Sequence, residues 1–367
     1  MSERRWAINI DRDRISDAVL TSEAAADLPD GAIEVAIDCF AMTANNVTYA
    51  VFGKPAGLFG NDKGYWDFFA GRDDPGRLPV WGFATVIRSN ADSVAVGESF
   101  YGYYPMASHA VLVPGRTSAH GFVDIAQHRA DLPVIYNQYQ KVAALPGYRQ
   151  TDRDWWPVFR PLFLTGWLIA DQFEDDGDYG AGQILIASAS SKTAIGLGHA
   201  LAQRANRPES VGLTSKAHVD HVRGLGIYDH VVAYDDIGTL DASRPAALVD
   251  MAGSGSVTRA VHEHFGDALQ YSMVVGKSHW DAAAEGGAVP GPERQGFFAP
   301  GRSEKRIADW GAADFQRRIA EAWAGFMELA PRLATIDRRS GGEGAMTAYR
   351  AMLSGTADPQ SALLVER

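Results

Sequence analysis

A turn rich in hydroxyl side chains follows a short apolar run near the middle of this chain of 367 residues. The turn carries Ser188, Ser190, Ser191, Lys192 and Thr193. A bound phosphate needs backbone N–H groups, close approach of the chain and the N-terminus of a helix. Small serine and alanine side chains allow an approach almost as close as glycine does, and Lys192 adds positive charge. We therefore predict that these residues contact the phosphates of a cofactor; the alternative is a helix cap with Lys192 in solvent.

A second set of polar side chains, Thr214, Ser215 and Lys216, follows the next predicted strand, 211–213. Proteins that prefer NAD and have a dinucleotide-binding fold place an Asp or Glu here, whose carboxylate holds the ribose 2′-hydroxyl. No carboxylate stands at this point, and hydroxyls with a lysine suit a 2′-phosphate. The pattern predicts NADP(H) rather than NAD(H) as the cofactor, with an ordinary helix cap as the alternative.

Both turns lie in an alternation of apolar runs and helical patterns. Strands are predicted at 184–186, 211–213 and 230–233, and helices at 193–204 and 216–225. This βαβαβ order is typical of one half of a doubly wound parallel sheet. Two further predicted strands, 246–251 and 269–275, end near Gly253 and Gly276. Because ligands of such sheets lie beyond the carboxyl ends of the strands, we predict both glycines at the cofactor site; simple turn chemistry is the alternative.

The flanking parts of the chain have different patterns. Residues 6–120 are predicted to be mostly β-structure, since runs such as 33–38 alternate apolar and polar side chains. Near the C-terminus, 314–330 predicts an amphipathic helix with its apolar side chains on one face. A short helix near 346–354 and an apolar strand at 362–365 follow it.

Composition and charge exclude several classes of function. A net charge of −11 argues against nucleic acid as a partner and against anionic membrane surfaces. No apolar run reaches the roughly 18 residues that span a bilayer. The single cysteine, Cys39, excludes an internal disulfide and a cysteine-based metal cluster. Since the N-terminus lacks the apolar core of a signal peptide, we expect a cytoplasmic protein that acts on a small molecule.

Three blocks of the chain, in this order, are similar to the medium-chain dehydrogenase/reductase superfamily. They are the strand, valine–glycine turn and strand of 82–105, the nucleotide-binding run 161–235, and the closing helix and strand of 348–365. The chain resembles the zinc-independent, quinone-reductase-like branch, and within it a bacterial subgroup with no assigned reaction. This resemblance implies an α/β fold, with a Rossmann-type doubly wound parallel sheet plus a β-rich GroES-like domain.

The resemblance also implies how the chain is divided. Residues 1–155 would form the β-rich GroES-like catalytic domain and 156–285 the Rossmann-type nucleotide-binding domain. Residues 286–367 would be a return segment that completes the catalytic domain. Members of the superfamily are commonly dimers, so the resemblance further implies a homodimer.

A catalytic metal is not expected. The zinc alcohol dehydrogenases of the superfamily bind zinc through a cysteine and a Gly-His-Glu segment. The similar positions of this chain hold Thr43 and Trp81-Gly82, which offer neither a thiolate nor an imidazole ligand.

The resemblance implies a set of candidate reacting residues. Tyr49 matches by position a tyrosine of the quinone-reductase-like members, so it is expected to donate a proton, with packing as the alternative. Asn45 and Asn46 are expected to orient the substrate or the nicotinamide amide. Thr165 resembles a residue near the nicotinamide ribose. Weaker candidates are Tyr103, Tyr136 and Tyr139. The expected reaction is hydride transfer from NADPH to a small carbonyl, enone or quinone-like substrate. A dinucleotide-binding protein of the same fold with little or no catalysis is the alternative.

Overall fold

Antiparallel strands dominate the N-terminal part of the chain. The structure is a computed structural model, and it describes residues 5–25, 27–69, 75–276 and 289–367. The strands of the N-terminal part are β1 Trp6–Ile10, β2 Ala18–Ser22, β3 Ile33–Met42, β4 Pro79–Ser89, β5 Ser99–Pro105, β6 His109–Leu112, β7 Pro114–Ser118, β8 Gly121–Asp124 and β9 Gln138–Lys141. Strands β1 and β2 pair with each other, and β3 to β9 belong to a larger sheet. The prediction of a β-rich N-terminal part is confirmed.

Two short helices, α1 Ala44–Val51 and α2 Val134–Asn137, lie among these strands. The start of α1 is fixed by Asn46, whose Oδ1 accepts a hydrogen bond of 2.7 Å from the Thr43 backbone N–H. The Nδ2 of Asn46 donates to the Pro79 carbonyl at 3.0 Å. Since Pro79 begins β4, this buried amide ties the helix to the sheet.

The middle of the chain alternates helices and parallel strands. Its elements are α3 Trp155–Asp175, β10 Gln183–Ala187, α4 Lys192–Ala202, β11 Glu209–Thr214, α5 Val219–Gly224, β12 His230–Ala233, β13 Ala246–Asp250, α6 Gly255–Phe265, β14 Leu269–Val274, β15 Arg294–Gly296, α7 Ala299–Trp310, α8 Ala312–Met327 and α9 Ala330–Leu333. The sheet order is β12-β11-β10-β13-β14-β15, and all neighbours are parallel. Because the chain order reverses between β10 and β13, this is a doubly wound Rossmann-type sheet, as predicted.

Close approach of α3 and α4 requires glycine at two positions. A Cβ on Gly166 of α3 would lie 2.8 Å from the Thr193 carbonyl oxygen and would also meet the Leu197 nitrogen. A Cβ on Gly196 of α4 would lie 3.0 Å from the Phe163 Cα. The two helix backbones therefore touch, and this contact sets where α4 begins beside the end of β10.

The C-terminal part returns to the larger antiparallel sheet. Its elements are β16 Thr335–Ser340, α10 Gly341–Leu353 and β17 Ser361–Glu366. Strand β17 pairs antiparallel with β3, and β16 pairs parallel with β17. The apolar strand predicted at 362–365 is thus present, and the predicted short helix begins earlier than expected.

The chain separates into two units with different boundaries from those predicted. One unit is Met1–Val158 with Ala334–Arg367, and the other is Phe159–Leu333. The predicted return at 286 therefore differs from the structure, and the boundary itself lies outside the described residues. Helix α8 remains in the second unit because Phe315 and Ile319 are buried in the same apolar core as α3 and α4. Among the described residues, no helix is both long and apolar enough to cross a membrane.

Candidate functional site

The hydroxyl-rich turn follows β10 directly, and it takes a closed shape without glycine. Ser188 has a positive φ of 56°, which costs a residue with a side chain roughly 1–2 kcal/mol. Its carbonyl accepts from the Ser191 N–H at 2.8 Å, and its own N–H donates to the Tyr234 hydroxyl oxygen at 3.1 Å. The Ala189 N–H donates to the Leu213 carbonyl at 3.0 Å. Long-range hydrogen bonds therefore hold a backbone shape that glycine commonly provides.

A second tyrosine supports the same turn. The Tyr228 hydroxyl donates to the Ala189 carbonyl at 2.9 Å. Its ring occupies space that two glycines leave open, since a Cβ on Gly198 would lie 2.8 Å from the ring and one on Gly212 would lie 3.0 Å from it. Neither tyrosine was predicted. Tyr234 is the first residue after β12. Because ligands of parallel sheets lie beyond the carboxyl ends of the strands, its position in the sequence could have indicated it.

The start of α4 has the chemistry that a phosphate needs. An α-helix leaves the N–H groups of its first turn without acceptors inside the helix, and this end carries partial positive charge. Ser191 caps the helix, and its Oγ accepts from the Ala194 N–H at 3.3 Å. Ser190, Lys192 and Thr193 are half-buried beside it. These residues fit a phosphate group, whereas Ser188 contributes the shape of the turn because Tyr234 accepts from its N–H.

The second predicted turn lies at the same edge of the sheet. Parallel pairing sets Ala187 of β10 beside Leu213 of β11, and Thr214 of β11 beside Ala233 of β12. The residues that follow these three strands are therefore neighbours at one edge. The turn itself begins with buried Thr214, continues with half-buried Ser215 and ends with exposed Lys216.

His218 is an additional basic group at the second turn that the sequence reasoning did not select. The Ser215 hydroxyl is hydrogen-bonded to the His218 Nδ1 at 3.1 Å. Lys216 and His218 lie in the same short 3-10 helix, Lys216–His218. A lysine, a histidine and a hydroxyl suit a phosphate ester better than a free ribose hydroxyl.

Gly253 lies in a turn held by a buried carboxylate. Asp250 ends β13, and its Oδ1 accepts from the Ala252 N–H at 3.1 Å and the Gly253 N–H at 2.9 Å. Its Oδ2 accepts from the Thr258 hydroxyl at 2.9 Å. Gly253 has a positive φ of 72°, so glycine is needed for the backbone there. Asp250 was not predicted. The sequence shows a carboxylate at the end of this strand, but it does not show which groups donate hydrogen bonds to it.

The two remaining predicted cofactor residues differ in position. Gly276 follows β14 at the same edge of the sheet, and the turn after it lies outside the described residues. Thr165 lies within α3, where its hydroxyl donates to the Pro161 carbonyl at 3.0 Å. The structure thus groups the turns after β10, β11, β13 and β14 at one edge, and Thr165 lies on a helix beside α4.

Tyr49, in the first unit, lies in a group of aromatic side chains that we call the tyrosine cluster. Its members are Tyr49, Tyr65, Phe68, Trp81, Tyr103 and Tyr136. The Tyr49 ring centroid is 4.5 Å from that of Tyr65 and 5.6 Å from that of Tyr103. The hydroxyls of Tyr65 and Tyr136 are 3.3 Å apart and hydrogen-bond to each other. All members except half-buried Trp81 are buried, so these rings pack mainly on one another.

Polar groups converge on the Tyr49 oxygen. The Trp81 Nε1–H donates to it at 3.4 Å. Burial raises the pKa of Tyr49 to about 12, and the side chains of Trp81, Tyr103 and Asn45 act in the opposite direction. Burial raises the pKa of Tyr65 further; the nearby Tyr49 also raises it, and the hydrogen bond with Tyr136 lowers it. Tyr49 is therefore a more acidic phenol than Tyr65, and half-buried Asn45 belongs to its surroundings.

The hydroxyl of Tyr139, a weaker candidate, is hydrogen-bonded within the first unit. Its hydroxyl donates to the Tyr103 carbonyl at 2.6 Å and accepts from the buried guanidinium of Arg129 at 2.9 Å. Arg129 is also paired with Asp124 at 2.7 Å. This hydrogen-bonded group fixes β8 and β9 against β5.

The positions compared with zinc ligands have structural contacts. Thr43 precedes α1, and a Cβ on Gly82 would lie 2.9 Å from the Phe40 Cβ, so the strands β3 and β4 approach closely there. Cys39 is buried in β3, and burial raises the pKa of its thiol to about 11. Within the described part of the chain, no three His, Cys, Asp or Glu side chains are arranged to hold a metal ion.

Comparison with solved structures identifies the fold. CurA from Vibrio vulnificus in complex with NADPH is 13% identical, with a TM-score of 0.62 and 98% of each chain covered. The yhdH oxidoreductase from Salmonella enterica in complex with NADP is 16% identical, with a TM-score of 0.52 and 99% of each chain covered. The mitochondrial 2-enoyl thioester reductase Etr1p/Etr2p heterodimer from Candida tropicalis is 11% identical, with a TM-score of 0.59, 99% of this chain and 100% of that chain covered. At these identities the likeness establishes the fold alone: a Rossmann-type parallel sheet with a β-rich unit, as in these structures.

Comparison by sequence identifies the family. No curated protein matches the chain. A family model matches residues 40–358, and its description is "Protein of unknown function (DUF2855)". Since this match covers most of the chain, the protein belongs to the DUF2855 family.

Proposed function

We propose that the protein is an NADPH-dependent, zinc-independent oxidoreductase that transfers hydride to a small carbonyl, enone or quinone-like substrate. One observation carries this proposal. The start of α4 and the lysine-bearing turn after β11 are neighbours at one edge of the parallel sheet, where ligands of such sheets bind.

The cofactor half of the proposal rests on two turns with different tasks. Ser190, Lys192 and Thr193 would hold the pyrophosphate at the helix N-terminus. Ser215 and Lys216 would hold the 2′-phosphate, because this turn has a cation and no carboxylate. Gly253 and Gly276 would let the chain pass close to the ribose and the nicotinamide. The fold neighbours CurA and yhdH were crystallised with NADPH and NADP, which agrees with this assignment.

The reductive half rests on Tyr49. When bound, NADPH supplies a hydride, and the substrate atom that becomes negative then needs a proton. Tyr49 is a neutral acid over the physiological pH range, and it has donors on its oxygen that stabilise the phenolate. Asn45 would orient the substrate or the nicotinamide amide. The aromatic side chains around Tyr49 support a flat, conjugated substrate, and one fold neighbour is an enoyl thioester reductase.

The zinc-independent assignment follows from Thr43 and Gly82. Neither residue offers the thiolate or imidazole ligand that a catalytic zinc needs, so polarisation of the substrate would come from hydrogen-bond donors instead. We further propose a cytoplasmic homodimer with no nucleic-acid partner, from the net charge of −11 and the resemblance. Light scattering of the purified protein tests the dimer.

Fluorescence titration with NADPH and NADH tests the cofactor. We expect NADPH to bind more tightly, and Lys216→Ala to weaken NADPH roughly tenfold while leaving NADH nearly unchanged, since it removes a charge-assisted contact. Arg223→Ala is a matched control, because Arg223 is an exposed cation of the same crossover and pairs with Asp220 at 3.1 Å. Equal losses for both nucleotides would contradict the 2′-phosphate assignment.

Turnover is tested by following NADPH oxidation with quinones, enones and aldehydes. Tyr49→Phe should lower kcat at least tenfold if Tyr49 donates the proton. An unchanged kcat would remove this role from Tyr49. Tight binding of NADPH without turnover of any compound would favour the alternative, a dinucleotide-binding protein with little or no catalysis.

A further inference from the structure

A buried hydroxyl without a hydrogen-bond partner lies in the tyrosine cluster. Tyr103 is in the centre of β5, and its side chain is 0% exposed. Within the described residues, its hydroxyl oxygen has no partner in hydrogen-bond geometry. Removing a hydroxyl from water without replacing its hydrogen bond destabilises a folded protein. A phenylalanine would fill the same space without that cost, so packing alone does not account for the hydroxyl.

The surroundings of Tyr103 leave one neighbour of chemical interest. Its ring packs edge-to-face on Tyr49, at a centroid distance of 5.6 Å and an angle of 88°. The ring of Trp81 is 5.0 Å away and that of Tyr136 is 4.9 Å away. The hydroxyl of Tyr136 is already hydrogen-bonded to that of Tyr65. The hydroxyl of Tyr49 therefore remains as the polar group that Tyr103 can serve.

The electrostatics agree with this geometry. The polar group of Tyr103 lowers the pKa of Tyr49, although burial of Tyr49 is the larger effect and raises it. Burial also raises the pKa of Tyr103 itself, well above that of an exposed tyrosine. Of these two hydroxyls, that of Tyr49 therefore ionises first, and Tyr103 keeps its proton.

We propose that Tyr103 is a positioning residue for Tyr49, whose hydroxyl donates a hydrogen bond to the Tyr49 oxygen once that oxygen has lost its proton. The proposal rests on the proposed function. In the step it serves, the Tyr49 O–H bond breaks and the proton goes to the substrate atom made negative by the hydride. The electron pair stays on the Tyr49 oxygen, where Trp81 and Tyr103 donate to it, and solvent later returns a proton. The unpaired Tyr103 hydroxyl thus destabilises the resting protein, and it stabilises the protein once Tyr49 is ionised.

The test compares two neighbouring tyrosines of β5. Tyr103→Phe should raise Tm by about 2–4 °C, because it removes an unpaired buried hydroxyl. The same change should lower kcat about tenfold with little change in KM, which corresponds to about one pKa unit on Tyr49. Tyr104→Phe is the matched control. The Tyr104 hydroxyl donates to the Phe100 carbonyl at 3.0 Å, so its loss should lower Tm and leave kcat unchanged.

A second measurement does not depend on turnover. Replacing tyrosine with 3-fluorotyrosine lowers the pKa of the phenols and brings their ionisation to lower pH. 19F NMR then follows the chemical shift of each tyrosine as the pH is raised. The Tyr49 signal is the one that is lost in Tyr49→Phe. Tyr103→Phe should move the titration of Tyr49 upward by about one pH unit. Tyr104→Phe should leave it in place.

The outcomes separate this proposal from the proposed function. A shifted Tyr49 titration in a protein that turns over no substrate would support the coupling of Tyr103 to Tyr49 and contradict the reductase. An unshifted titration together with an unchanged kcat in Tyr103→Phe would overturn the role of Tyr103, while leaving the reductase intact.

Discussion

Replacement of Tyr234 by phenylalanine should weaken binding of NADPH and NADH by the same factor. The Tyr234 hydroxyl accepts from the Ser188 N–H at 3.1 Å, and Ser188 holds a φ of 56° that a residue with a side chain rarely adopts. Loss of one such hydrogen bond costs about 1 kcal/mol. If the turn relaxes in the free protein, the cofactor must restore its shape, and this penalty corresponds to roughly a fivefold higher Kd for both nucleotides.

Fluorescence titration of both nucleotides measures this effect. Tyr271→Phe is a suitable control, since Tyr271 is another partly buried tyrosine of the second unit and its hydroxyl accepts from the Gln172 Nε2 at 3.4 Å. The control should leave both Kd values unchanged.

A second change tests the role of backbone strain. Glycine adopts a positive φ without strain, so Ser188→Gly in the Tyr234→Phe background should restore most of the lost affinity. Unchanged binding in Tyr234→Phe would refute the supporting role of Tyr234. A loss confined to NADPH would refute it as well, because that result would assign Tyr234 to the 2′-phosphate rather than to the shared pyrophosphate turn.

Three further predictions concern stability. Gly166→Ala should destabilise the protein by about 1–3 kcal/mol in a urea titration, since a Cβ there would lie 2.8 Å from a carbonyl oxygen of α4; a variant as stable as the wild type would show that α3 moves easily. Arg302→Ala should cost about 1–3 kcal/mol, because the buried Arg302 Nε donates to Asp171 at 2.7 Å, while the Arg306 Nε still donates to that carboxylate at 2.8 Å; a loss below about 0.5 kcal/mol would indicate a solvent-screened pair. Stability should also fall above pH 10, because burial raises the pKa of Tyr49 from about 10 in the unfolded chain to about 12 in the folded protein. Between these two pH values the unfolded chain loses a proton that the folded protein keeps, so rising pH favours unfolding. Thermal denaturation between pH 9 and 11.5 should show a falling Tm that is less steep in Tyr49→Phe, and equal slopes would contradict the burial of this phenol.

The parallel sheet was predictable because its signal is local. Short apolar runs such as Ile184–Ile186 are buried on both faces in an α/β sheet, and the alternation with helical patterns determines the strand type. The candidate turns could be predicted for the same reason, since each follows a strand directly. The order of the strands in space was not predicted; it is set by the parallel pairing of β10 with both β11 and β13.

The return to the first unit, predicted at residue 286, could not be located from local sequence patterns. Helix α8 is amphipathic in sequence, as predicted, but its apolar face does not state which core it covers. In the structure Phe315 packs with α3 and α4, and Arg302 of α7 binds Asp171 of α3, so these helices stay with the second unit. Contacts between residues more than 100 positions apart are decided by tertiary packing.

The sequence alone determined the fold class, the edge of the sheet that bears the candidate turns, and a second turn with a lysine and no carboxylate. These follow from periodicity and residue type, which act over a few neighbouring positions. Only the tertiary structure decided how a turn without glycine is held, through Tyr228 and Tyr234, and which groups surround Tyr49. Hydrogen bonds and burial of that kind join strands distant in sequence, so their energies depend on the folded chain rather than on any local pattern.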